Sequence, residues 1–268
     1  MAFNADLKLG LFVIIISAFT IYVNGLKILN EKPDFLKPCS LKDPQIEVCF
    51  NKNFKNIFGE WKAGNPIFKP IGSLDPLHIK RISMQHAKSP LEINFDLLEI
   101  EMKGLGGFLV KESKHDFEAL NGIMTFEVPK ILVESNYKMK GKILSLDLNA
   151  TGKTTISIDK FVSKMFVHFK LRDSDGFTFA DVEKLKVEVL DIGGFHIHMG
   201  NLFNGQKDLE DGANSLFNDN WRDFFEIMRP AISSSIEAVM NDRLKKLFAI
   251  IPVHYVIEDF PSAATYYG

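Results

Sequence analysis

Trp221-Arg-Asp-Phe-Phe-Glu-Ile-Met-Arg-Pro-Ala-Ile-Ser-Ser-Ser-Ile-Glu-Ala-Val-Met-Asn-Asp-Arg-Leu-Lys-Lys-Leu-Phe-Ala-Ile-Ile251 is the stretch on which the fold turns. Its apolar residues fall at Phe225, Met228, Ile232, Ile236, Val239, Met240, Leu244, Leu247 and Ile251. Nearly every step is three or four, so they form one stripe on a helix. A stripe of about thirty residues implies a helix about 45 Å long at ~1.5 Å per residue. Such a stripe drifts round the axis. A flat partner cannot follow the drift, but a curved sheet wrapped about the helix can. The preceding segment, Leu202-Phe-Asn-Gly-Gln-Lys-Asp-Leu209 to Asn220, reads as a polar turn leading into the helix.

The middle of the chain supplies such a sheet. Ile93, Phe95 and Leu97 alternate with polar residues, and then Leu98, Ile100 and Met102 alternate in the opposite phase. A one-residue slip of phase within a strand signals a bulge, which bends a sheet. Met124, Phe126 and Val128 repeat the pattern, Pro129 interrupts it, and Ile131 and Val133 resume in the other phase. Proline is expected only at an edge or a bulge. Further alternating runs follow at Leu144–Leu148, Ile156–Ile158, Val167–Leu171, Leu185–Val189 and Phe195–Met199. Turns are expected at Asn149–Lys153, Asp173–Gly176 and Asp191–Gly194. The order is therefore helix, antiparallel meander, long helix, with one apolar sheet face covering one apolar helix.

The beginning of the chain reads as a secretory signal. Lys8 precedes an apolar run from Leu11 to Val23, and Val23-Asn24-Gly25 offers a cleavage site. The run is too short to span a bilayer, which needs about twenty residues. Cleavage near Gly25 leaves about 243 residues, enough for one large domain. We therefore expect a signal peptide over 1–25, one domain over 26–260 and a tail over 261–268, in a secreted, extracellular protein with no stable membrane insertion. The two cysteines, Cys39 and Cys49, are expected to form one disulfide in a secreted chain. Asp43 before Pro44 reads as a helix start, followed by the apolar stripe Ile46, Cys49, Phe50, Phe54, Ile57, Phe58 and Trp61. Gly64 to Pro76 reads as a linker.

The charge balance is near neutral, 32 basic against 34 acidic residues, so no basic surplus exists to neutralise phosphates, which disfavours a nucleic-acid partner, and none is expected. Phenylalanine is abundant, 24 residues against 5 tyrosines and 2 tryptophans. It brings large apolar area without a polar atom to satisfy, which suits a dry cavity and equally a filled core.

No catalytic constellation emerges. Gly152-Lys153-Thr154 lacks the glycine a phosphate loop needs at position 147, which is aspartate. Gly104-Leu-Gly106-Gly107 is followed by no helical pattern. His196 and His198 share a strand face opposite the buried Phe195, Ile197 and Met199, so they should meet water rather than a metal. There is no Gly-x-Ser-x-Gly and no His-Glu-x-x-His. The reading is of a protein that is not an enzyme, with no metal and no cofactor. Asn149-Ala150-Thr151 is the clear glycosylation signal, expected at a hairpin tip.

Several motifs carry a family likeness. Asn201-Leu-Phe-Asn-Gly, Asn220-Trp221-Arg222 and Pro230 in the C-terminal part, Phe35-Leu-Lys-Pro-Cys39 with Asp43-Pro44 and Cys49 near the start, and Ser73-Leu-Asp75-Pro76-Leu77 occur in order across nearly the whole mature chain. Together they resemble the insect takeout and juvenile-hormone-binding family, and the two cysteines match its takeout branch. The resemblance implies an α+β, TULIP-like fold: a strongly curved antiparallel sheet around the long C-terminal helix, elongated, with a tunnel for an apolar ligand. It implies a monomeric carrier of a terpenoid hormone, isoprenoid lipid, fatty acid or odorant. A signalling protein with a filled core acting through a receptor is the alternative, and a lipid-ester hydrolase a weaker one. Candidate tunnel residues are Phe95, Phe126, Leu146, Ile158, Phe169, Val187 and Ile197 on strands, and Phe225, Met228, Ile232 and Ile236 on the helix.

Overall fold

The computed structural model describes residues 28–88, 91–143 and 146–268. The expected signal segment, 1–25, lies outside the described residues. The elements run α1 (Ile46–Lys62), β1 (Leu77–Lys88), β2 (Leu91–Lys103), β3 (Leu109–Asp116), β4 (Asn121–Ile143), β5 (Leu146–Ser174), β6 (Phe177–Asp191), β7 (Gly194–Met199), α2 (Lys207–Asp219), α3 (Trp221–Ile250) and α4 (Ala263–Tyr267).

The strands form one antiparallel sheet in the order β1-β2-β4-β5-β6, with β3 added to β4 and β7 to β5. Its two central strands, of 23 and 29 residues, are long enough to serve two outer partners each. β4 pairs with β3 through Asn121 to Glu127 and with β2 through Leu132 to Ile143. β5 pairs with β7 through Thr154 to Asp159 and with β6 from Val162 onward. Pro129 falls where the outer partner of β4 changes, opposite Lys160, and the pairing of β4 with β5 skips both residues. That is a place where a missing N–H is tolerated. The phase slip in β2 is real: Glu99 takes a left-handed conformation (φ 49°), the pairing with β4 is irregular between Leu98 and Glu101, and Leu97 and Ile100 are both buried. These bulges bend the sheet into a trough that curls round α3.

Two expected turns are present. Asp175 and Gly176, with φ of 53° and 79°, close a two-residue hairpin between β5 and β6 of the kind that requires positive φ at both positions. Residues near Gly193 turn β6 into β7. The third expectation fails. Asn149–Lys153 lies inside β5, paired with β4 from Lys140 to Asn136, so Asn149 is an exposed strand residue and not a hairpin tip. The stretch Asn-Ala-Thr-Gly-Lys has turn composition, but its pairing with β4 overrides it.

The Gly64–Pro76 stretch is no free linker. Phe68, Ile71 and Leu74 are buried, and Trp61 donates its indole N–H to the Gly72 carbonyl at 2.6 Å. Asp75 accepts from the backbone N–H groups of Gly104 and Gly106 at 3.0 and 2.9 Å. Gly104 itself has φ 102°, and a Cβ there would stand 2.1 Å from the Lys130 carbonyl oxygen. α1 starts at Ile46, later than the Asp43-Pro44 pair suggested, because Asp43 caps the turn before it by accepting from Gln45 N–H at 2.8 Å. The disulfide Cys39–Cys49, with Cα atoms 5.9 Å apart, ties α1 to the extended segment before it. Asn53 reinforces the tie through both backbone groups of Lys37. Residues 261–268, expected as a tail, are docked: α4 places Ala263 and Ala264 N–H on Asp173, both at 3.0 Å, which holds that carboxyl below the usual range.

The segment before α3 is not a turn but a second helix, α2, which closes the sheet edge. Asn214 bonds both backbone groups of Met199 at 2.8 and 3.0 Å, and Asn218 bonds both of Ile197 at 2.8 and 2.9 Å. Glu210 accepts from Asn201 N–H at 2.5 Å. The spacing explains the fit: four residues of helix rise ~6 Å, and two residues of strand rise ~6.6 Å. α3 repeats the device on β6, where Ser233 and Glu237 accept from Val189 and Val187 N–H, each at 3.1 Å.

Two predictions follow from these edges. Asn214→Ala leaves the buried Met199 N–H and C=O unpaired and should cost about 2–3 kcal/mol, read as a lower denaturant midpoint at unchanged slope. Tyr137 is buried and donates to the Gly200 carbonyl at 3.0 Å; burial, with the Glu210 charge adding, raises its pKa from 10.0 to about 12. The folded value lies above the unfolded one, so this contribution is intact below pH ~10 and fades as pH climbs to about 12. Ultraviolet titration should show one phenol ionising well after the others.

Candidate functional site

The middle of the α3 stripe is only partly covered by protein. Leu244, Leu247 and Ile250 at the C-terminal end are 1% exposed, and Phe225 near the N-terminus is 5% exposed. Between them Met228, Ile232, Ile236, Val239 and Met240 are only partly buried, although they face the sheet. They face a cavity of about 330 Å³.

The packing at the two ends explains why the middle is hollow. One core gathers Ile93, Phe95, Tyr137, Phe161 and Ile197 around the N-terminal part of α3. The other gathers Phe54, Phe58, Trp61, Met124 and Met165 around Leu244, Leu247 and Ile250. α3, one helix of 30 residues with Pro230 inside it, bridges both. Both Trp221 and Met240 line the cavity, so it extends along roughly 28 Å of helix at ~1.5 Å per residue. A volume at the lower end of the ~300–1,000 Å³ range for ligand sites, drawn out to that length, has the shape of a chain rather than a ball.

Of the residues selected from the sequence, Phe95, Phe126, Ile158, Ile197, Phe225, Met228, Ile232 and Ile236 line this cavity. Two others lie elsewhere. Phe169 packs edge-on against Phe248, with ring centres 4.9 Å apart, and borders a separate, smaller pocket. Val187 is 3% exposed, in the core under the C-terminal part of α3. Both point inward, but at a level of the trough where helix and sheet meet directly. The backbone of Leu146 opens β5, and its side chain lies outside the described residues.

Sequence reasoning missed one wall. β1 contributes Leu77, Ile79, Ile82 and Met84. Its signal was legible as two alternating pairs in opposite phase, with the pairing to β2 passing over Lys80 and Glu99. α1 adds Phe54 and Phe58, and Phe217 of α2 closes the end near Trp221. Ser235 is also part of the wall.

Among the described residues the wall carries no charge. The charged side chains of α3 are directed outward or to the sheet edges. Arg222 meets Asp191 at 2.6 Å, Arg229 reaches Glu226, and Arg243 donates to the carbonyls of Ile71 and His78. His196 and His198 are exposed on the outer face of β7. Among the described residues, no group of three or more His, Cys, Asp or Glu is placed to hold a metal ion, and no helix is long and apolar enough to cross a membrane.

The family model for haemolymph juvenile hormone binding proteins matches residues 12–258, and the chain belongs to that family. The circadian clock-controlled protein daywake of Drosophila melanogaster is 25% identical over 228 residues, covering 82% of this chain and 86% of the relative. Its counterpart in Drosophila yakuba is 23% identical over the same shares. Among solved structures, Takeout 1 of Epiphyas postvittana superposes with a TM-score of 0.68 at 22% identity, over 83% of this chain and 99% of that one. It shares the curled sheet around a C-terminal helix.

If the middle of α3 faces space and its end faces packed protein, truncations there must differ. Leu247→Ala should cost about 2–5 kcal/mol, as for a filled core. Ile232→Ala removes atoms that already lack neighbours on one side and should cost about 1 kcal/mol. Denaturant midpoints of the two variants provide the comparison.

Proposed function

We propose that this member of the haemolymph juvenile hormone binding protein family is a secreted, monomeric carrier that holds one elongated hydrophobic molecule along α3. The observation that supports the reading is the partly buried run from Met228 to Met240, an apolar helix face that meets a cavity where packed side chains would otherwise be. A ligand that hides roughly 300 Å² of apolar surface there gains about 7 kcal/mol before ordering costs. The family's own description, a haemolymph protein that binds juvenile hormone, and the short apolar run at Leu11–Val23 support secretion. The absence of a recognisable nucleophile and base in the wall favours binding over turnover. Phe95, Phe126, Ile158, Ile197, Phe225, Met228, Ile232 and Ile236 are the proposed contacts.

Enlarging the wall tests this. Ile232→Trp and Ile236→Trp should abolish uptake of a neutral apolar dye such as N-phenyl-1-naphthylamine at an unchanged denaturant midpoint, since the added volume enters open space. In a packed core the same changes cost about 1–3 kcal/mol. A large fall in midpoint, or dye uptake equal to the parent protein, would refute the carrier reading and favour a filled core acting through a receptor.

A further inference from the structure

The chemistry of the cavity wall limits the ligand more narrowly than its shape does. Among the described lining residues none is charged, and nitrogen or oxygen occurs in just two side chains, the hydroxyl of Ser235 and the indole of Trp221. Both are neutral groups, and they stand fourteen residues apart on one helix, about 21 Å at ~1.5 Å per residue. Two charged groups of α3 beside the cavity are committed elsewhere. Glu237 accepts from Val187 N–H at 3.1 Å, and Arg243 is held by the carbonyls of Ile71 and His78. A carboxylate drawn into this cavity would lose its water and find no cation, a penalty that normally forces the group to pair or to stay outside. A hydroxyl, ester or ketone oxygen asks far less and is satisfied by a single hydrogen bond.

Ser235 is placed to supply that bond. In the run Ser233-Ser234-Ser235, each hydroxyl meets a different surrounding. Ser233 accepts from Val189 N–H at 3.1 Å and so belongs to the sheet edge. Ser234 is exposed, and Ser235 faces the cavity. Its hydroxyl donates back to the Ala231 carbonyl, four residues earlier, at 2.8 Å. That bond leaves the oxygen lone pairs open to the cavity, and the hydroxyl can be re-aimed to donate to a ligand. Alanine would be the better helix former and would leave the Trp221 indole as the one polar group among the described lining residues. A polar side chain at the middle of an otherwise apolar wall breaks the local pattern in the way a binding position does.

We infer that the cavity takes an uncharged, chain-like lipid with one oxygen function, such as an alcohol, ester or ketone, whose oxygen is held by Ser235, and that it rejects ionised fatty acids. The inference rests on the carrier reading above. The test uses three probes of one chain length, dodecan-1-ol, dodecanoate at pH 8 and dodecane, with the purified, delipidated full mature chain in equilibrium dialysis. The alcohol should bind at least about 10-fold more tightly than the anion. Ser235→Ala should weaken the alcohol about 2- to 10-fold, leave dodecane unchanged or tighter, and keep the denaturant midpoint. Dodecanoate binding as tightly as the alcohol would overturn the exclusion of acids while leaving the carrier reading intact. Equal loss of alcohol and alkane in the variant would remove Ser235 from its role. Failure of all three probes to bind would overturn the carrier reading and this inference together.

Discussion

The structure depends on a match of repeats between helix and strand. A side chain every fourth residue of a helix advances about as far as every second residue of a strand. Asn214 and Asn218 use this match to satisfy both backbone groups of Met199 and Ile197, and Ser233 and Glu237 use it on Val189 and Val187. An open sheet edge is a row of unpaired donors and acceptors that invites another chain. Along these parts of β6 and β7 the helices occupy those groups. The same bonds fix the distance between α3 and the edge of the trough, so the sheet can neither slide along the helix nor collapse onto it.

That spacing accounts for the cavity. Folding normally fills an interior to crystal-like density, and a void costs the contacts its lining lacks. The protein tolerates the void because two well-packed cores sit at its ends. Leu244, Leu247 and Ile250 anchor one, and Phe225 with the strand residues around Phe95 and Phe161 anchors the other. The helix between them cannot bend toward the sheet without breaking one of these contacts or the edge bonds. The bulge at Glu99 and the break in pairing at Pro129 and Lys160 give the sheet curvature to reach round the helix.

The division of polar chemistry follows the same geometry. On α3, Arg222 is received by Asp191, Arg229 by Glu226 and Arg243 by backbone carbonyls, and none of the three lines the cavity. The inward face is left to apolar side chains and one hydroxyl. A lining of that kind binds by excluding water, and selectivity among ligands arises from what it cannot solvate.

The sequence by itself determined the architecture. The period of the stripe from Phe225 to Ile251, the alternation in β2 and β4, and the phase slips beside Glu99 and Pro129 specify a long helix and a bent antiparallel sheet, because these patterns depend on local geometry alone. The ordered motifs from Phe35 to Pro230 pointed to the family. Tertiary structure decided the rest. Asn149–Lys153 has turn composition but became the interior of β5, since pairing along β4 outweighs local preference. α2 was hidden because Gly212, Asn214 and Asn218 weaken a helical pattern, and the value of the two asparagines lies in partners on β7 distant in sequence. Phe169 and Val187 share the inward phase with Phe95 and Ile158, yet border packed protein. Alternation tells which way a side chain points, but not what stands opposite, and that is set by how far α3 is held from each part of the sheet.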